Sequence, residues 1–249
     1  MKLIFSRKGF DSTSGGAPSP IIDGRPISLP IPTKNYPSET SYSDVGLGEI
    51  VEQMTKRRKR RIHASELCHE DPMFANGRWA FGQCGAAQTH LEKNEVGVGD
   101  VFLFYGLFSS HDKDRHHRIF GYMKVEEVRL LGPAPSKNYN PEGFERRHPH
   151  TLGEWVGRNA NNTLYLGSGF KARRAPSILR LTKPGARVSV WNIPPWLKAV
   201  GLTYHNKSSR WVGDGELHVA SPGQEFVADI GEQKEPLKWL HDVKAAIRL

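Results

Sequence analysis

The stretch Val101-Phe102-Leu103-Phe104-Tyr105-Gly106 constrains this chain most. An apolar run of that length, opened by the turn Gly97-Val98-Gly99-Asp100, reads as a strand and needs a sheet around it. A charged loop from Ser109 to Arg118 leads into residues 119–128. There Phe120, Tyr122, Lys124 and Glu126 alternate with Ile119, Gly121, Met123 and Val125. A period of two marks a strand with two distinct faces. The centre of the chain is therefore a strand pair.

Other segments fall into place around it. Lys2-Leu3-Ile4-Phe5-Ser6 reads as a buried first strand that runs into the glycine-rich loop 9–16. Asp23-Gly24, between two short apolar runs, is a hairpin signal. Ser43 or Asp44 is placed to cap a helix through Met54. The small residues of 79–91 suggest a helix packed closely on another backbone. Residues 162–166, 178–181, 188–191 and 224–228 read as short strands, Pro195-Trp196-Leu197 opens a brief helix, and 236–249 forms an amphipathic terminal helix. Many short strands with a few helices predict a mixed α+β fold, built as a partly closed β-barrel elaborated with helices. With no internal repeat and no linker, residues 1–249 read as a single domain.

Composition narrows the class. At 37% hydrophobic and 24% charged residues the chain is too apolar to be disordered. With 35 Lys+Arg against 26 Asp+Glu the net charge is +9. That excess favours polyanions, because each phosphate neutralised releases a condensed counterion. Cys68 and Cys84 are too far apart for a zinc motif and suit a reducing compartment. The start has no signal-peptide pattern, and no apolar run approaches bilayer length, so a cytoplasmic location without a membrane partner is expected. No P-loop or dinucleotide-binding motif occurs, which excludes a nucleotide cofactor bound in those ways; no cofactor is expected.

Residues 98–128 resemble the PUA-like (EVE/ASCH) barrels: a turn with Gly-Asp, an apolar strand ending in an aromatic, then a strand with Gly before Val125-Glu126-Glu127-Val128. Ser6-Arg7-Lys8-Gly9-Phe10-Asp11-Ser12, Asp23-Gly24, His69 with Asp71-Pro72, and Phe81-Gly82-Gln83 carry a wider likeness. Gly85-Ala86-Ala87-Gln88, His148-Pro149-His150, Asn162-Thr163-Leu164-Tyr165 and Gln224-Glu225-Phe226 extend it. Over nearly its whole length the chain resembles the third nucleotide-modification-associated domain family. Glu70 departs from that pattern, where a hydrophobic or small residue is expected. The resemblance implies action on a modified base in DNA, most concretely a DNA glycosylase that excises glucosylated hydroxymethylcytosine from phage DNA in antiviral defence. A reader of modified bases without catalysis, or a cofactor-free base-modifying hydrolase, is the alternative.

Glycosidic cleavage requires a flipped base and a carboxylate beside the sugar. Asp11, after the first strand and on a glycine-rich loop, is one candidate; its other reading is a turn cap with Ser12 and its neighbours. His69 and Asp71, two residues apart, form a second candidate as a His–carboxylate pair, or else a loop ion pair. Ser12, Gln83, Gln88 and His90 are candidates to bind the substrate, though Gln88 and His90 also suit a helix surface. Phe10, Tyr105 and Trp79 are stacking candidates that equally suit a core. His148 and His150 flank Pro149 and are expected at the substrate. Two His at this spacing suit a metal but lack a third ligand in the sequence, so no metal is expected. Arg7, Lys8 and the run Lys56-Arg57-Arg58-Lys59-Arg60-Arg61 are candidate phosphate contacts, with Arg146, Arg147, Arg173 and Arg174 as possible extensions.

Overall fold

The computed structural model describes residues 1–33, 37–111, 114–136, 139–153, 160–213, 215–220 and 225–249. Its main sheet runs, neighbour to neighbour, through Glu225–Asp229, Lys2–Arg7, Val101–Ser109, Arg115–Leu130, Thr163–Lys171, Arg78–Gln83 and Met73–Ala75. The first strand pairs parallel with Val101–Ser109 (Leu3 opposite Val101); the other neighbours on this path are antiparallel. Ser19–Ile22 adds a short parallel pairing at Phe108. The path is open at Glu225–Asp229 and Met73–Ala75, and among the described residues no ladder joins these ends. The fold is mixed α/β and mostly sheet, with helices at Gly48–Thr55, Gly85–Lys93, Pro195–Val200 and Lys234–Arg248.

The unbroken apolar run of the central strand has a simple cause: every residue of Val101–Ser109 is buried. Leu103 and Tyr105 join Leu3, Phe5, Trp191 and the apolar stripe Leu240, Val243 and Ile247 of the last helix. Phe102, Phe104 and Phe108 face the other way, into a cluster with Ile4, Trp79, Phe81, Tyr165 and Val227. Each fully buried Phe contributes about 1.5–3 kcal/mol. A third cluster, with Phe10, Leu29, Tyr42, Val51 and Cys68, packs under the N-terminal loops.

Several elements differ from the sequence reading. Residues 78–83 form a strand, and the helix begins only at Gly85. Trp79 and Phe81 face the core of Phe102 and Phe104, while Ala80 lies in a separate cluster on the other side, so the alternation outweighs the small residues. Residues 177–179 form a 3-10 turn after Pro176 rather than a strand. The Gly48–Thr55 helix starts later than expected because Asp44 accepts from the backbone and hydroxyl of Ser41, which caps a turn upstream instead. The last strand begins at Glu225; Gln224 lies outside the described residues. Among the described residues no helix is long and apolar enough to cross a membrane.

His117 carries a pH consequence. Trp191 donates its indole N–H to His117 Nδ1 at 3.0 Å, so that nitrogen must keep its lone pair. Burial pushes the imidazole down to about 3, helped by the nearby Arg7 charge. The folded pKa lies below the unfolded value, so the unfolded chain binds the extra proton once pH falls below about 6.5. Stability should then fall with decreasing pH, by about 1.4 kcal/mol per unit per proton, until the folded ring titrates near 3. Urea titrations between pH 7 and 5 should show this slope, reduced by about one proton in His117→Phe.

Candidate active site

At one rim of the sheet the Cys68–His69 bridge, the Asp71 loop and the 3-10 turn Pro149–Thr151 converge on strand Arg78–Gln83. Asp71 is the centre. Its Oδ1 accepts from the Gly82 backbone N–H at 2.9 Å and lies 3.2 Å from His148 Nε2. Its Oδ2 lies 3.8 Å from His69 Nε2 and 3.9 Å from His150 Nε2.

The hydrogen bonds assign the ring nitrogens. His148 Nδ1 accepts from the His150 backbone N–H, so its Nε2 carries the proton and donates to Asp71. Asn162 donates its amide to the carbonyls of His150 and Gly132, which turns its Oδ1 toward His150 Nδ1 at 2.7 Å. That nitrogen must therefore donate, and His150 Nε2 presents a lone pair toward Asp71.

Burial dominates the electrostatics. It pushes His69 down to about 4 and His150 down to about 3, against the pull of the Asp71 charge, so both rings are neutral near pH 7. Burial also opposes ionisation of Asp71, yet the His148 hydrogen bond and the nearby Lys8 and His150 hold its carboxyl well below the usual range. The outcome is a buried carboxylate with one oxygen turned toward two neutral imidazoles.

Gly82 makes this packing possible, because a Cβ there would stand 2.3 Å from the His150 ring. Gly82→Ala should cost about 1–3 kcal/mol through overpacking and lower Tm by roughly 2–12 °C, checked by thermal melts. Any base-releasing activity should fall further than this loss of stability explains.

A second buried network adjoins the first. Glu225 Oε1 accepts from Gln83 at 2.8 Å, Lys8 at 3.1 Å and Ser6 at 3.2 Å. Lys8 also lies 4.2 Å above the Phe81 ring. Cys84 is nearby, but burial and then the Asp71 charge push its thiol up to about 11, which leaves it protonated.

The structure brings His69, Asp71, His148 and His150 together, with Gln83 one residue from Gly82 in the adjoining network. It also supplies what the His148/His150 pair lacks in the sequence: His69, Asp71 and His150 offer ligand atoms all within 4.8 Å of one another.

Asp11 lies elsewhere. It accepts from the backbone of Thr13 and Ser14 and pairs with Arg7 at 3.0 Å, the arrangement of a turn cap. Arg7 acts electrostatically on Tyr105 and His117, on the Phe5 side of the first strand. Ser6, by contrast, faces Glu225. Ser12 is exposed on the same turn. Phe10, Tyr105 and Trp79 are fully buried core and present no stacking face in this conformation. Gln88 is buried and accepts from the Tyr165 hydroxyl, and His90 bonds Thr203 and packs on Tyr204, so both brace the fold.

Among the basic residues, Lys8 belongs to the interior network rather than a phosphate surface. Arg60 and Arg61 pair with Glu66 and Glu52, whereas Lys56, Arg57, Arg58 and Lys59 have no ion pair among the described residues. Arg146 forms a two-pronged pair with Glu70, which accounts for the unusual Glu in that loop: it ties down the segment leading to His148. Glu225, Gly82, Asn162 and Ser6 escaped the sequence reading as site residues; their signal lay in the runs Ser6-Arg7-Lys8, Phe81-Gly82-Gln83, Asn162-Thr163 and Gln224-Glu225-Phe226.

Fold and site together define a mixed α/β protein with a buried histidine–carboxylate centre at the rim of its main sheet. The chain belongs to the nucleotide modification associated domain 3 family, whose model matches residues 2–229. No curated protein and no solved structure gives a significant match. Membership links the chain to nucleotide modification and is consistent with a nucleic-acid partner.

Proposed function

We propose that the protein is a DNA glycosylase that excises a bulky modified cytosine, with glucosylated hydroxymethylcytosine of phage DNA as its substrate and antiviral defence as its role. The observation that carries this reading is the Asp71 carboxylate, buried yet held ionised, with Oδ2 turned toward a neutral His69. Asp71 stabilises the positive charge that develops on the sugar as the bond from C1′ to the base breaks. His69 takes a proton from the attacking water, whose oxygen bonds to C1′; the electron pair leaves with the base, which gains a proton. The likeness of the central strands to PUA-like base pockets supports recognition of one flipped nucleotide.

The cationic segment supplies the approach to DNA. Changing Lys56, Arg57, Arg58 and Lys59 together to Ala should weaken binding to any duplex. It should also reduce the slope of log affinity against log salt by up to about 3–4, measured by fluorescence anisotropy at several salt concentrations. Stability should stay nearly unchanged, because these side chains have no ion pair to lose among the described residues.

The test of function is incubation of purified protein with duplexes carrying glucosylated, hydroxymethylated or plain cytosine. Released base and alkali-labile sites in the glucosylated duplex alone support a glycosylase. A tight complex without released base would make the protein a reader instead.

A further inference from the structure

We propose that His69, Asp71 and His150 bind a divalent transition-metal ion of the zinc and iron(II) class. This inference rests on the same side chains as the glycosylase reading and alters one role in it: with an ion held there, His69 would serve as a ligand and not as the base, and activation of the attacking water would come from the ion. Two observations carry it beyond mere proximity.

The first is the facing of the donor atoms. Asp71 Oδ2 looks at both His69 Nε2 and His150 Nε2, at 3.8 and 3.9 Å. The Asn162 contact fixes the His150 proton on Nδ1, so a lone pair and a carboxylate oxygen face each other in a buried place. Two acceptors so placed are oriented to share a cation.

The second is the support behind two of the three donors, His150 and Asp71, which matches what metal-binding side chains need. A ligating imidazole uses its other N–H to fix the ring, here through Asn162. A ligating carboxylate has its remaining oxygen hydrogen-bonded, here by His148 and the Gly82 N–H. His148 is thus a positioning residue and not a ligand. The positive charge of Lys8 would oppose a metal, but Glu225 pairs with it at 3.1 Å.

Two imidazole nitrogens and one carboxylate oxygen suit zinc or iron(II) and leave coordination positions for water or substrate. Metal–ligand bonds of about 2.1 Å at tetrahedral angles place donor atoms about 3.4 Å apart, so the two separations from Asp71 Oδ2 need to close by about half an ångström, and the two imidazoles, within 4.8 Å of each other, must draw together around the ion.

The test uses Co2+ as an optical probe and Zn2+ as competitor, on full-length protein treated with chelator and dialysed. The expected result is one equivalent of Co2+, with a visible ligand-field spectrum that Zn2+ abolishes. Asn162→Ala should weaken binding about 10–100-fold, and Asp71→Asn or His150→Gln should weaken it more. His241→Gln, on an exposed face of the last helix, should leave it unchanged. Circular dichroism separates loss of the site from loss of the fold. Absence of binding by the folded wild-type chain, or binding indifferent to Asp71→Asn and His150→Gln, would overturn the proposal. Base release is scored separately, with and without chelator. A chain that binds metal but frees no base keeps this site and loses the glycosylase; one that frees base and binds no metal does the reverse.

Discussion

Asp71→Asn should reduce the rate of base release by about 10²–10⁴-fold, the usual contribution of a positioned acid–base or charge-stabilising group. The substitution is chosen to spare the fold. An Asn carbonyl oxygen can still accept from His148 Nε2 and from the Gly82 N–H, the two bonds that Oδ1 now accepts. What disappears is the negative charge beside His69 and His150. Melting temperature should therefore change little while single-turnover rates collapse. Asp11→Asn should behave in the opposite way: its carboxylate caps the Thr13–Ser14 turn and pairs with Arg7, so activity should persist with at most a small loss of stability.

Glu225→Ala should be the most destabilising single change, by about 3–5 kcal/mol, because it strands a charge. The side chain of Glu225 is 1% exposed and that of Lys8 10%, so water cannot readily replace the lost partner. Gln83 and Ser6 lose their acceptor at the same stroke. Chemical denaturation would measure the cost. A Lys8→Met/Glu225→Leu double variant provides the control: with both charges gone, most of the stability should return, as for buried ion pairs generally. A double variant as unstable as Glu225→Ala would place the cost in packing instead of charge.

The sequence made the central sheet legible because Val101–Ser109 sits between two cores and is apolar or aromatic apart from Gly106 and its last residue, Ser109. The first strand, the Asp23-Gly24 hairpin and the terminal helix followed from equally local signals. The stretch 79–91 misled because Ala80 and Gly82 look like close helix packing; in fact Gly82 clears space for the His150 ring, whose position depends on a turn 68 residues away along the chain. The site was half visible for the same reason. His69, Asp71, His148 and His150 stood out as residue types, but their meeting depends on the Glu70–Arg146 fork and on Gly82, which are long-range contacts. Glu225 reaches Ser6 and Lys8 only through strand pairing between the two ends of the sequence. Asp11 drew attention through its glycine-rich surroundings, yet those glycines serve the turn itself: Gly15 takes a positive φ of 88° and leaves no room for a Cβ against Phe10.

A cavity of about 220 Å³ lies between Phe5, Trp191, Trp239, Arg180 and Asn192, and none of the His–Asp residues lines it. It offers a rival seat for an extruded base, on the Phe5 side of the first strand, whereas Ser6 reaches Glu225 on the other. The most direct measurement is thus a structure of the protein with a duplex containing one glucosylated cytosine nucleotide whose 2′-fluoro sugar resists cleavage. The flipped nucleotide should bring its C1′ to Asp71 and His69, within about 3 Å or one bridging water. A nucleotide lodged between Trp191 and Trp239, or an unflipped duplex, would contradict it.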